Sequence, residues 1–255
     1  MSAYGAITST RKQVETLPST FWRLKPRNRT LDAAGGYLTI HHVTLESARE
    51  IPGLISYLHF VFTQELERGS TYPQEILPDE TYTVDAFEAY YFAADVLVAV
   101  LCSSSAPSDD FANGAVVELS LEQARKERSW EDSIAGCYYV KPNYPGRSSH
   151  ICNAGFLVPP IMRAKGIGLA LGQSYLHYGP RLGYEASVFN LVYVNNVASV
   201  RIWESLGFEK AGRIPRAGRL KKVDGSPGEE YVDAWVFYRR FDSDADTNSP
   251  LATRP

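Results

Sequence analysis

Apolar residues recur along this chain at two spacings, and the spacing changes from segment to segment. Between Ser47 and Glu67, Ile55, Leu58, Val61, Phe62 and Leu66 return every three or four residues, which predicts a helical region. Pro52 falls early in it, where a helix tolerates proline. A second helix is expected over Thr83–Tyr91. The unbroken apolar run Ala93–Leu101 predicts a strand buried on both faces. Further strands are expected near Gly36–Val43, Ile134–Val140, Ser149–Val158 and Ser187–Val194. From Gly168 to Tyr178 the helical spacing returns, with Leu171, Tyr175 and Tyr178 on one face and Gly179-Pro180 as the stop. Asn195 or Asn196 can cap the next helix, which buries Val197, Val200, Trp203 and Leu206 and ends at Gly207. Two last strands, near Lys210–Ile214 and Tyr231–Tyr238, flank a loop rich in Gly, Pro and Lys. The order is strand, helices, three strands, helix, strand, helix, two strands. That order predicts an α/β layer fold with a mixed sheet.

Composition changes this picture only at the ends and at one insertion. Residues 1–35 read as a flexible basic segment: within 1–31, Arg11, Lys12, Arg23, Lys25, Arg27 and Arg29 face only Glu15. A cytoplasmic protein with a basic tail and one with a mitochondrial presequence both fit, although Pro18 and Pro26 would interrupt an amphipathic helix. Residues 36–241 form the expected domain, with an insertion over about 103–132 and a disordered polar tail over 242–255. The net charge of -3 argues against a broad nucleic-acid footprint. No apolar run reaches the length of a membrane span. The three cysteines suit buried thiols in a reducing compartment, and no Cys/His spacing suggests a metal.

The candidate chemistry begins at Phe156-Leu-Val-Pro-Pro-Ile-Met-Arg-Ala-Lys-Gly-Ile-Gly168. An apolar strand runs into a short loop that closes on Arg163-x-x-Gly166-x-Gly168, and a helical pattern begins at once. Glycines admit a bound group close to the backbone, and the start of a helix offers unpaired N–H groups and partial positive charge. That is a site for a pyrophosphate, with Arg163 and Lys165 adding charge. A P-loop would need Lys-Ser/Thr after its second glycine, which is missing. A dinucleotide fingerprint would need a third glycine where Leu171 stands.

The spacing Arg-x-x-Gly-x-Gly between strand and helix resembles the acyl-CoA loop of the GNAT N-acetyltransferases. Downstream, Asn196-x-x-Ser199…Trp203-x-x-x-Gly207-Phe208 resembles that family's Asn-x-x-Ala/Ser…Tyr-x-x-x-Gly-Phe element. A narrower likeness is carried by Thr71-Tyr-Pro-Gln74, Val140-Lys-Pro-Asn-Tyr144, Ser149-His-x-Cys-Asn-Ala-Gly-Phe-Leu-Val158, Phe189-Asn-Leu-Val, Val194-x-Asn-x-Ala-Ser199 and Pro215-x-Ala-Gly218. These blocks resemble the fungal proline-analogue acetyltransferases. Those enzymes move acetyl from acetyl-CoA to the ring nitrogen of azetidine-2-carboxylate or cis-4-hydroxyproline. The resemblance implies a mixed, mostly antiparallel sheet flanked by helices, with two splayed parallel strands at its centre. It also implies acetyl-CoA as co-substrate, no metal, a small amine or imino acid as acceptor, and edge strands suited to a homodimer.

The resemblance places CoA's pantetheine arm on the backbone of the Phe156–Val158 strand and its pyrophosphate on Arg163, Lys165, Gly166 and Gly168. Asn196, with Ser199, falls at the acetyl-CoA chain, and a donor placed at a developing oxyanion is worth ~3 kcal/mol. Asn196 has an equally ordinary account as a helix cap. Asn153, with Ile151, Gly155 and Leu157 on its face, is assigned to the substrate. Asn190, on a face with Val188, Val192 and Val194, would line the cleft opposite it and contribute to the reacting centre. Either amide could instead pair with a nearby loop. Tyr72 is a lid residue by resemblance and a packed aromatic otherwise. Trp203 departs from the family, which commonly has there a Tyr that protonates the leaving thiolate. Indole is no such acid. No Glu or His in the central strands stands out as a base, and His150 sits just before one of them. Acetylation of a polyamine, an arylamine or a protein lysine, and acyl-CoA binding without transfer, remain open on the sequence.

Overall fold

The computed structural model describes residues 16–24, 36–102 and 111–241. They build an eight-stranded sheet in the order β1-β2-β3-β4-β5-β6-β8-β7. The strands are β1 (Thr20–Arg23), β2 (Tyr37–Val43), β3 (Asp95–Cys102), β4 (Ile134–Pro142), β5 (Ile151–Leu157), β6 (Ala186–Tyr193), β7 (Glu209–Lys221) and β8 (Glu229–Arg240). The helices are α1 (Leu45–Glu50), α2 (Leu54–Arg68), α3 (Val84–Tyr91), α4 (Leu121–Arg125), α5 (Trp130–Ser133), α6 (Ile167–Arg181) and α7 (Val197–Ser205). Neighbouring strands are antiparallel except β5 and β6, which run parallel. The expected fold class is therefore the observed one.

The parallel pair is short. Ile151 pairs with Ala186 and Cys152 with Ser187, and there the ladder ends. At this last rung the buried Tyr175 hydroxyl of α6 donates to Ser187 Oγ at 2.7 Å and lies 3.0 Å from Cys152 Sγ. Beyond it β5 and β6 diverge, and the site lies along that divergence.

Alternation along β4 and β5 sorts their side chains between two cores. Tyr138, Val140, Cys152 and Phe156 pack with α6 and α7. Cys137, Tyr139 and Leu157 pack with α2 and α3 around Phe62, whose full burial contributes ~2–3 kcal/mol. Gly155 sits on this second face because a Cβ there would fall 2.4 Å from the Tyr139 ring. Asn153 and Lys141 belong to the same face as cross-strand partners.

Several expectations are corrected. The segment 1–35 is not flexible throughout: Thr20–Arg23 forms the edge strand β1 on β2. The neighbouring histidines explain this. His42 Nδ1 accepts from the Leu17 N–H at 2.9 Å, and His41 Nδ1 lies 2.8 Å from Ser19 Oγ, with burial pushing His41 down to about 4. Phe21 and Trp22 are buried where basic composition suggested solvent. The presequence reading falls on residues 1–31, of which 1–15 and 25–31 lie outside the described residues, as does the polar tail 242–255. The helical region 47–67 is two helices, broken at Pro52-Gly53, where Gly53 takes φ +76°. The segment 103–132 is no appendage in its described part. The Phe21 N–H donates to Ala115 O at 2.9 Å, and α4 buries Leu121 and Ala124. Helix α6 runs past the expected stop, with Pro180 in its last turn. The last two strands are longer than their apolar runs because they form an extended hairpin whose outer face is polar.

Candidate functional site

A cleft of about 1170 Å³ opens between the end of β5, the starts of α6 and α7, the Ser70–Tyr72 loop and the tip of the β7–β8 hairpin. Its wall includes Phe156, Val158, Arg163, Gly166, Gly168, Asn196, Ser199 and Tyr72, all of them candidate residues of the sequence. Gly166 caps α6 with φ +79°, and Ala164 takes φ +62°, so the loop turns sharply into the helix. No side chain caps the first turn of α6, which leaves its N–H groups to the cleft.

The charges expected beside this turn are placed differently. The Arg163 guanidinium donates to Glu65 Oε2 of α2 at 2.6 Å and to Val158 O at 3.1 Å. Glu65 is buried and also accepts from Thr71 Oγ1 at 2.7 Å. Arg163 thus fastens the loop to α2 instead of standing free for a phosphate. Lys165 is exposed and outside the cleft wall, with Nζ 3.8 Å from Met162 Sδ. Glu65 gave no sequence signal, because it reads as one more polar position on a surface helix.

At the start of α7, Asn196 Oδ1 accepts from the Ser199 N–H at 3.2 Å, so Asn196 is the helix cap. Ser199 Oγ accepts from the Trp203 indole N–H at 3.0 Å. Trp203 stacks into Phe156, Phe189 and Phe208. It seals the base of the cleft and offers no acid there. The amide without a protein partner is the neighbouring one: Asn195 lines the cleft, and both its Oδ1 and Nδ2 are buried and unpaired. The doublet Asn195-Asn196 was visible in sequence, but which of the two caps was not.

On the diverging strands, three asparagines meet. Asn143 Oδ1, just past β4, accepts from Asn153 Nδ2 at 2.9 Å and from Asn190 Nδ2 at 2.6 Å. Asn143 Nδ2 in turn lies 3.2 Å from Asn190 Oδ1. Asn153 and Asn190 therefore face each other across the seam, with Asn143 as the bridge. Asn153 Oδ1 is buried with no partner. The shared face expected for Val188, Asn190 and Val192 is not kept: a register shift between Phe189 and Val192 turns Val192 into the core with Phe189, and Asn190 is exposed. Neither Asn153 nor Asn190 belongs to the cleft wall above; they form a second, polar region beside it.

Tyrosines roof that region. Tyr72 donates its hydroxyl to Phe156 O at 3.0 Å. Burial pushes its pKa well above the ordinary value, so it stays a protonated donor. Tyr90 and Tyr139 pair their hydroxyls at 2.9 Å. Lys141 Nζ lies 4.0 Å from the Tyr90 ring centre and 4.1 Å from that of Tyr139, and donates to Tyr90 O at 3.0 Å. Gln74 Oε1, beside Tyr72 in sequence, is another buried acceptor without a partner. His150 is exposed, held on Arg147 O at 3.1 Å.

Residues 103–208 match the model of the Acetyltransferase (GNAT) family. N-acetyltransferase aca1 of Schizosaccharomyces pombe is 42% identical over 190 residues, covering 74% of this chain and 81% of aca1. The chain belongs to the GNAT acetyltransferase family. It is an acyltransferase. Protein SPT10 of Saccharomyces cerevisiae is 31% identical over 210 residues, and the match spans 31% of SPT10's length. Among solved structures, a GCN5-related N-acetyltransferase from Kribbella flavida has a TM-score of 0.54 at 23% identity, covering 80% of this chain and 97% of that one. The structure of yncA from Salmonella typhimurium, determined with its cofactor acetyl-CoA, has a TM-score of 0.52 at 17% identity, covering 85% and 99%. At these identities the structural matches speak for the GNAT fold alone.

Proposed function

We propose that this GNAT enzyme moves acetyl from acetyl-CoA to the nitrogen of a small amino or imino acid. Azetidine-2-carboxylate and cis-4-hydroxyproline are the model acceptors. The observation that carries the reading is the unpaired Asn153 Oδ1. A buried amide acceptor costs on the order of 1–3 kcal/mol when unmet, so its geometry favours a ligand N–H donor. Asn143 fixes the orientation of Asn153 by taking its N–H, which aims the free oxygen. The blocks shared with the proline-analogue enzymes support the same substrate class.

The uncapped start of α6 suits the donor's pyrophosphate, and the diverging edge of β5 suits its amide-bearing arm. The unpaired Asn195 amide suits a carbonyl or amide of the same chain. The acceptor nitrogen, once deprotonated, attacks the thioester carbonyl. The carbon–sulfur bond then breaks, the thiolate leaves, and the proton remaining on the nitrogen passes to solvent. With Trp203 where an acid would stand, the thiolate leaves without a proton from that position; a thiol pKa of about 8.5 makes this workable near neutral pH.

The test is CoA release by the purified enzyme with acetyl-CoA and a panel containing azetidine-2-carboxylate, cis-4-hydroxyproline, a polyamine, an arylamine and a lysine peptide. Turnover confined to the first two is expected. Turnover of the others alone would remove the acceptor class.

A further inference from the structure

The geometry points to Lys141 as the anchor for the acceptor's carboxylate, and so to a side chain that selects free amino and imino acids over amines without an acid group. This rests on the acceptor reading above and names the second half of the recognition.

Lys141 is the direct cross-strand partner of Asn153 on antiparallel strands. Such side chains project from one face with Cβ atoms ~5 Å apart. The ammonium is held by the Tyr90 and Tyr139 rings, and one of its three donors is spent on Tyr90 O. No carboxylate of the described residues lies within ion-pair distance of it. Arg163, by contrast, is paired with the buried Glu65. Burial lowers Lys141 to about 8, which is what a half-buried cation lacking an anion shows.

The two unmet groups are complementary to one molecule. Asn153 Oδ1 lacks an N–H, and Lys141 Nζ lacks an anion. An α-amino or imino acid carries its nitrogen and its carboxylate on the same carbon, so one small ligand can reach both from the face they share. The aromatic clamp matters because it fixes a flexible side chain before the ligand arrives, which lowers the ordering cost of binding. Tyr139 is itself seated against Gly155, so the clamp, the lysine and Asn153 form one rigid unit.

The experiment measures acetyl transfer to azetidine-2-carboxylate and to azetidine-2-carboxamide, which keeps the ring nitrogen and removes the charge. Wild type is expected to show a KM about 30-fold lower for the acid. Lys141→Met should erase that preference by raising the acid's KM, with KM for acetyl-CoA unchanged. Lys141→Gln is run beside it, and thermal melts confirm that each variant is folded. A wild type that treats acid and carboxamide alike overturns the proposal while leaving the acceptor reading intact. So does a folded Lys141 variant that keeps the preference. No CoA release with either compound would instead overturn the acceptor reading, and the role of Lys141 with it.

Discussion

The two sides of this site are built by different means. The donor side is a matter of backbone: a strand that ends at Leu157, a loop with left-handed turns at Ala164 and Gly166, and a helix whose first N–H groups are uncapped. Its charged side chains look elsewhere, Arg163 to Glu65 and Lys165 to solvent. The acceptor side is a matter of side chains gathered from distant places: Lys141 of β4, Asn143 after it, Asn153 of β5, Asn190 of β6, and tyrosines from α3 and from the loop after α2. A shape made by main chain tolerates sequence change, and a constellation of amides does not. A shared co-substrate calls for the first and a particular amine for the second. On the proposed reading, this is why the donor half resembles a family-wide pattern and the acceptor half a narrower one.

The sharpest break in that contrast is Asn153→Ala. Removing the aimed oxygen should lower kcat/KM for the acceptor about 100-fold and leave KM for acetyl-CoA within twofold. Steady-state kinetics varying each substrate in turn checks it, and an equal loss on both sides would dissolve the division. Next comes the asparagine pair at α7. Asn195→Ala should raise KM for acetyl-CoA about tenfold with little change in stability. Asn196→Ala should cost ~1 kcal/mol of stability as a lost cap. Denaturant unfolding beside kinetics separates the two, and the reverse pattern would return the donor contact to Asn196. The smallest effect is expected from Glu65→Gln. It slackens the loop's hold on α2, so KM for acetyl-CoA should rise roughly fivefold with the acceptor's KM unmoved. An enzyme that bound acetyl-CoA more tightly would mean that Arg163, once released, reaches the phosphates after all.

What could be read from the sequence follows the same division. The strand–loop–helix around Gly166 and the cap region at Asn195-Asn196 are contiguous, so glycine placement and helical spacing reveal them. Asn153 and Asn190 stood out because a lone amide in an apolar strand is conspicuous. Asn143 did not, since its sequence context is that of a turn and its importance lies in contacts 10 and 47 residues away. Glu65 was silent for the same reason, being joined to Arg163 from 98 residues off. The bulge in β6 hid the true face of Val192, because alternation is read from neighbours and an extra residue resets it. Edge strand β1 was masked by its own basic flanks, although Phe21 and Trp22 are what bury it. Local grammar is legible; register slips and long-range pairs wait for the folded chain.

The Tyr175 hydroxyl is a mechanical element of the sheet. It sits where the two halves of the sheet are last joined, touching Ser187 on one side and Cys152 on the other. In effect it is the pin at the crotch of a wedge, and the arm that holds the pin is α6. The other end of that arm is the uncapped turn at Gly166. On the proposed reading, the turn that would grip the donor and the pin beside the acceptor's wedge belong to one and the same rod.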